Sequence, residues 1–452
     1  MVDSTALVVK SERVVLPDGI GPASIGVDHG RITAIHRPPS VQRSSGAREI
    51  DAGRLVVLPG LVDTHVHIND PGRADWEGFE HATRAAAAGG VTTLVDMPLN
   101  SIPPTTTLGG LEEKRRTARG RCHVDVGFWG GVVPGNRDEL ASLARAGVLG
   151  YKCFLCPSGV PEFEHVGERE LREAMPVLAT LGLPLLAHAE LPSLLRVPDG
   201  DPRRYSTWLA SRPPESELAA IALLIRLARE FNARVHIVHL AAATALPALA
   251  LARAKGAPIT VETCPHYLTF AADEIADGAT AFKCAPPLRR GEHREGLWQG
   301  LIDGEIDLVA TDHSPSPPHL KHLDDGDFLQ AWGGIASLQV GFAAVWRGAR
   351  SRRIGIDRVV EWMAAAPARL AGLDRVKGRI AVGHDADLVI WDPDSEASVD
   401  AAALYHRHPV TPYAGRTLAG RVHMTILRGD VVFENGACTP VPRGRVIGDP
   451  VV

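Results

Sequence analysis

Two histidines one residue apart, His65 and His67, close the apolar run VVLPGLVDTHVH over residues 56–67. Side chains two apart on a strand share a face, so both imidazoles can turn toward one metal ion. Alone, an H-x-H pair is a weak signal. Its placement at the end of an apolar strand strengthens it. Further reactive side chains occupy the same kind of position: Lys152 lies in VLGYKCFL (148–155), His188 in LPLLAHAE (183–190), His239 in RVHIVHL (234–240) and Asp312 in DLVATDH (307–313). Any one of them reads as a satisfied core histidine or a structural acid. Together, at several strand ends, they read as a single site, because barrel enzymes gather their chemistry at the C-terminal ends of different strands.

The elements that must position these residues alternate. Strands are expected at 56–67, 91–98, 124–133, 148–155, 183–190, 234–240, 257–263 and 307–313, with helical runs such as DWEGFEHATRAAAAGG and ESELAAIALLIRLAREFN between them. Eight strands with intervening helices predict an α/β TIM barrel. Glycines at Gly89, Gly90, Gly147, Gly182 and Gly256 stand where helices should end. The two chain ends differ from the middle. Residues 1–50 and 378–436 hold short strands, with turns at Asp18-Gly19 and His29-Gly30. They are expected to pair as a small β-sandwich beside the barrel. The divisions are 1–55 for the N-terminal part of that sandwich, 56–375 for the barrel and 376–452 for its C-terminal part and tail. The stretch Ser314 to Asp327, rich in Pro and charge, follows the eighth strand and reads as an active-site loop.

Composition narrows the partners. The 452 residues can bury a barrel and a satellite in one chain. The net charge of −5 comes from interspersed acids and bases with no basic stripe, which argues against nucleic acid and anionic membrane. Only seven of the 48 basic residues are Lys, so each Lys is scarce. Cys153 and Cys156 form a lone C-x-x-C without the second pair a zinc site wants. They read as buried reduced thiols of a cytoplasmic protein. The first residues, MVDSTALVVKSERVV, read as a strand rather than a signal peptide, and no run of 18 apolar residues exists.

The motifs GLVDTHVH, GYKCF, LAHAE, IVHLA, CPHYLTF, KCAPPLR, ATDHSP and KGRIAVGHDADLVIWD resemble those of the cyclic amidohydrolases, the dihydroorotases, hydantoinases and allantoinases of the amidohydrolase superfamily. The resemblance covers nearly the whole chain. It implies a cytoplasmic homo-oligomer, tetrameric by analogy, that hydrolyses a small cyclic amide with two divalent metal ions, zinc being the expected pair. It implies that His65, His67 and Asp312 bind one ion, that His188 and His239 bind the other, and that Lys152, carboxylated by CO₂, bridges both. The chemistry is consistent with this. An ammonium cannot ligate a metal, whereas a carbamate can, and a Lys in an apolar strand is otherwise out of place. Asp312 takes the family's proton-transfer role. His266 and His313 fall near the site without an assigned role. Relatives that have become non-catalytic scaffolds typically lack ligands, whereas this set is complete.

The same resemblance bears on the ring. Dihydroorotases carry an Arg two residues after the second His and a D-H-A-P-H pattern at the catalytic Asp. Here Asn69 takes the first place and Asp312-His313-Ser314-Pro315-Ser316 the second, with Arg73 as a substitute cation. Hydantoinases usually carry a Tyr soon after the bridging Lys, where this chain has Pro157 and Ser158. The stretch from His65 through DPGRADWEGFEHATRAAAAGGVTTLVDMPLNSIPPTTT, together with SGVPEF and WGGIASLQ, is similar to allantoinases. That implies allantoin as substrate, read by neutral groups: Asn69, Asn100, Ser316 and the backbone near Ala285 and Gly333.

Overall fold

The computed structural model describes residues 7–38 and 47–448; the first six residues of the expected N-terminal strand lie outside them. Eight parallel strands follow one another around a ring: β1 (Leu61–Val66), β2 (Val91–Asp96), β3 (Asp125–Phe128, resuming as Gly130–Gly131), β4 (Tyr151–Phe154), β5 (Leu185–His188), β6 (Val235–Ile237), β7 (Ile259–Thr263) and β8 (Leu308–Val309). The ring closes where Val66 and His313 bridge and the His67 N–H donates to the His313 carbonyl at 2.8 Å. Buried Asp63 spans that seam. Its carboxylate accepts from the N–H groups of His65 and Thr311 at 3.1 and 3.2 Å and from the Thr311 hydroxyl at 2.5 Å. All eight expected barrel strands are present, each shorter than its apolar run.

Helices cover the ring. The helix Pro214–Phe231 buries Ala220, Ile221, Leu224, Leu227 and Ala228 on one stripe, the spacing of a face turned to a core. Each such aliphatic side chain larger than Ala contributes roughly 1.5–3 kcal/mol on burial. The helix Glu168–Leu181 stops at Gly182 in the left-handed conformation, φ 69°, as its place before β5 suggests.

The run 56–67 is two strands rather than one. Val56–Pro59 pairs with Leu388–Ser398 and with Leu7–Leu16 in a second sheet, and only Leu61–Val66 enters the barrel. Gly60 is the crossing point. A Cβ there would sit 2.1 Å from the Thr92 hydroxyl and 2.9 Å from the Asp387 Cβ, so only glycine lets the chain pass between the two units. The second sheet draws nine strands from both chain ends, including the hairpin Gly19–Asp28 and Arg31–His36. It has its own apolar core, with Val9, Ile25, Val57, Leu388 and Ile426. Lys377 joins sheet to barrel, reaching Asp125 on β3 at 2.7 Å and Asp385 and Asp387 at 2.9 and 2.7 Å. Among the described residues, no helix is long and apolar enough to cross a membrane, and all six cysteines are unpaired.

Candidate active site

The C-terminal ends of the strands converge on one cluster. His65 and His67 come from the end of β1, Lys152 from β4 and His188 from β5. His239 lies just beyond β6, and Asp312 just beyond β8. The His239 and Asp312 backbones are left-handed, with φ 42° and 46°, uncommon values for side chains that are not glycine. Asp312 Oδ1 lies 3.1 Å from His65 Nε2 and 3.3 Å from His67 Nε2. The His239 ring centroid is 5.4 Å from that of His65 and 4.6 Å from that of His188. His65, His239 and Asp312 each present a ligand atom, all within 4.8 Å of one another. The six side chains named from strand ends therefore share one neighbourhood, all of them buried.

Lys152 is the anomaly in this cluster. It is fully buried, yet its Nζ has no hydrogen-bond partner, and it lies 5.0 Å from the centre of the Phe154 ring. An uncompensated buried cation costs several kcal/mol or shifts its pKa. Burial pushes this amine down to about 8, against the opposing pull of Asp312 and Glu262. Burial also pushes His188 and His239 well below the ordinary imidazole value, and the charge of Lys152 adds to it in both. For His65 burial pushes down, but Asp312 and Glu262 outweigh it and bring the ring up to about 9. Asp312 is pushed up by burial and held well below the carboxylate range by His65 and His67.

Two carboxylates that the sequence did not single out brace the histidines. Glu262 on β7 faces His65 Nδ1 at 2.5 Å and His236 Nε2 at 3.0 Å. His236 Nδ1 is fixed in turn by the Thr260 hydroxyl at 2.8 Å. Glu190 faces His188 Nε2 at 2.7 Å and Arg212 at 3.5 Å. Carboxylates that hold one ring nitrogen so that the other points at an ion are a recurrent feature of metal sites. Both glutamates lie in strand segments already named, and a carboxylate within an apolar barrel strand is the signal that could have found them.

A cavity of about 320 Å³ opens on the cluster. Its lining includes His65, His67, His188, His239 and Asp312, with Asn100, Ala285, Ser314 and Gly333. Of the residues expected as substrate contacts, Asn100, Ala285 and Gly333 line this cavity. Asn69 and Ser316 are buried but do not line the cavity. Asn69 Nδ2 reaches the Pro315 carbonyl at 3.4 Å, so it faces the loop rather than the opening. Arg73 is committed elsewhere, to Glu162 and the Asn100 carbonyl. Within the expected loop Ser314 to Asp327, Ser314 lines the cavity, and the stretch Leu329 to Gly334 lines it too. His313 holds backbone: its Nδ1 accepts from the N–H groups of Ser337 and Leu338 at 3.1 and 3.3 Å. Both His266 nitrogens lack a partner, and burial lowers that ring to about 4.

The chain matches the Amidohydrolase family over residues 56–432. It is 52% identical to an allantoinase of Streptomyces avermitilis, covering 98% of each chain. It is 45% identical to an allantoinase of Arabidopsis thaliana, over 95% of this chain and 88% of that one. Among solved structures, the L-hydantoinase (dihydropyrimidinase) of Arthrobacter aurescens superposes with a TM-score of 0.92 at 33% identity, over 98% of this chain and 99% of that one.

Proposed function

The chain belongs to the amidohydrolase family, and from that premise we propose that it opens the hydantoin ring of allantoin by hydrolysis, giving allantoate. The observation that carries this reading is the cluster of His65, His67, His188, His239 and Asp312 lining one cavity, with the buried, partnerless Lys152 amine close enough for its charge to act on His188 and His239. The curated relatives at 52% and 45% identity, both named allantoinase, support the choice of ring.

The donor set suits two divalent ions, which we take as zinc: His65, His67 and Asp312 would hold one, His188 and His239 the other, and a carboxylated Lys152 would offer oxygen ligands to both. Such ions, when bound, acidify water to a pKa of about 7 and polarise a carbonyl. The depressed Lys152 amine suits carboxylation, because only the neutral form attacks CO₂. The new N–C bond releases one proton from that neutral amine and leaves a carbamate anion in its place. Asp312 uses Oδ1 toward both His65 and His67. Its second oxygen receives the proton of the attacking water and delivers it to the ring nitrogen as the amide C–N bond breaks. Glu262 and Glu190 keep the His65 and His188 rings from turning. Asn100, Ala285 and Gly333 line the space above them and hold the neutral ring. A homotetramer in the cytoplasm completes the reading, on family likeness.

A hydantoinase or dihydropyrimidinase activity is the second reading, favoured by the likeness to the L-hydantoinase (dihydropyrimidinase). Purified protein loaded with zinc is offered allantoin, hydantoin, dihydrouracil and dihydroorotate side by side, with metal content and mass in solution recorded. Allantoin turnover well above the others, with two ions per chain, is expected. Turnover confined to another ring overturns the substrate, and a chain that binds no ion overturns the mechanism.

A further inference from the structure

One wall of the cavity carries more positive charge than a neutral ring requires. From His188 it runs through Glu190 to Arg212 at 3.5 Å. The Arg212 guanidinium lies 5.1 Å from the centre of the Trp208 indole, and Lys283 Nζ lies 4.4 Å from it. Arg212, Trp208 and Lys283 all line the cavity, so the line leads away from the histidine cluster along its side. Both cations lie against the same indole, whose electron-rich ring softens their repulsion. Trp208 is itself pinned, its Nε1 donating to the Cys284 carbonyl at 3.1 Å.

Both cations keep donors in hand. An ammonium has three N–H bonds, and Lys283 directs two of them to the Leu329 and Ala331 carbonyls, at 3.2 and 2.5 Å. Arg212 Nε is buried without a partner. Unspent donors in a desolvated wall call for a ligand oxygen, because leaving them unmet is costly. The bare hydantoin ring, with its reacting carbonyl held at the histidine cluster, has no substituent to reach along this wall. Allantoin differs from hydantoin by one exocyclic ureido group, whose carbonyl is a strong neutral acceptor.

We propose that Arg212, Trp208 and Lys283 form the subsite for the ureido group, and that they select allantoin over an unsubstituted ring. This rests on the allantoin reading above. The ureido carbonyl accepts from Lys283 Nζ, and the Arg212 guanidinium, held against the same indole on the cavity wall, supplies the second donor.

The test compares kcat/KM for allantoin with that for hydantoin in zinc-loaded enzyme, reading hydantoin as substrate or, if it is not opened, through its competitive inhibition constant. Lys283→Met and Arg212→Gln are each expected to lower the allantoin-to-hydantoin ratio by at least about tenfold. Lys283→Arg, which keeps a cationic donor, should recover part of it. A merely structural role would weaken both compounds equally, and that outcome, or an unchanged ratio, overturns the subsite. The two residues lie on different loops, so the Arg212 variant decides the matter if Lys283→Met does not fold. A wild-type enzyme that opens hydantoin but not allantoin refutes the substrate reading before any variant is made, and so separates the two failures.

Discussion

Two buried lysines divide the molecule. Lys377, at the joint between barrel and end sheet, meets Asp125, Asp385 and Asp387 within 2.9 Å. Burial works against its charge, but those three carboxylates outweigh it and raise its pKa. Lys152, at the mouth of the barrel, is as deeply buried and meets no acceptor. The joint spends its charges on one another and so locks two units together. The mouth leaves its charges unspent, and unsatisfied groups held in place by the fold are what a ligand or a modification completes.

The contrast breaks most sharply at Lys152. Lys152→Ala should lower kcat/KM on allantoin by on the order of 10³-fold or more and cut bound metal in elemental analysis, while the melting temperature of the metal-free protein holds or rises. A fall in melting temperature with activity intact would make Lys152 a structural residue. Lys377→Met should do the reverse. Removing one partner of a buried charge cluster costs about 3–5 kcal/mol, read as a shift of the urea midpoint, with kcat per folded molecule unchanged. The comparison sharpens at Glu262, a carboxylate of the mouth that is paired. Glu262→Gln should weaken metal affinity about 10–100-fold in chelator competition, with little change in melting temperature.

The smallest effect concerns Lys321, which resembles Lys152 in having no carboxylate. Its Nζ donates to the Trp332 carbonyl at 3.0 Å and to that of Gly334, and burial lowers it from 10.5 to about 7. Between those values the unfolded chain holds the extra proton, so this group makes stability rise as pH climbs through the window and fall as pH drops back through it. The stability difference between wild type and Lys321→Met, followed by urea unfolding, should therefore shift in favour of wild type from pH 7 to pH 10. A difference that stays flat, or shifts the other way, would show that Lys321 keeps its charge.

Much of this was legible because it is periodic. Eight apolar runs alternating with helical ones, with His65, His67, Lys152, His188, His239 and Asp312 at or near strand ends, need only the strand repeat and the barrel rule to be read. Glu262 and Glu190 sit in the same runs but are not legible there as site residues, because a carboxylate shows its purpose only once its partner histidine is beside it. The break at Gly60 was hidden for a similar reason. The residues on both sides of it are equally apolar, and only the packing of Thr92 and Asp387 against the glycine separates the two strands.

The loops mark the limit. Asn69 and Ser316 sit in loops beside residues of the strand-end cluster and look like cavity contacts in the sequence, yet they do not line it, whereas Trp208, Arg212 and Lys283 do. A strand fixes the direction of its side chains every second residue, so the amino-acid order alone determined the barrel, the chain-end sheet and the strand-end cluster. A loop has no such repeat. Which of its side chains meet, which are drawn away by a nearer carbonyl, and which of two buried lysines finds carboxylates were decided only by the tertiary structure, because contact and desolvation depend on neighbours distant in the chain.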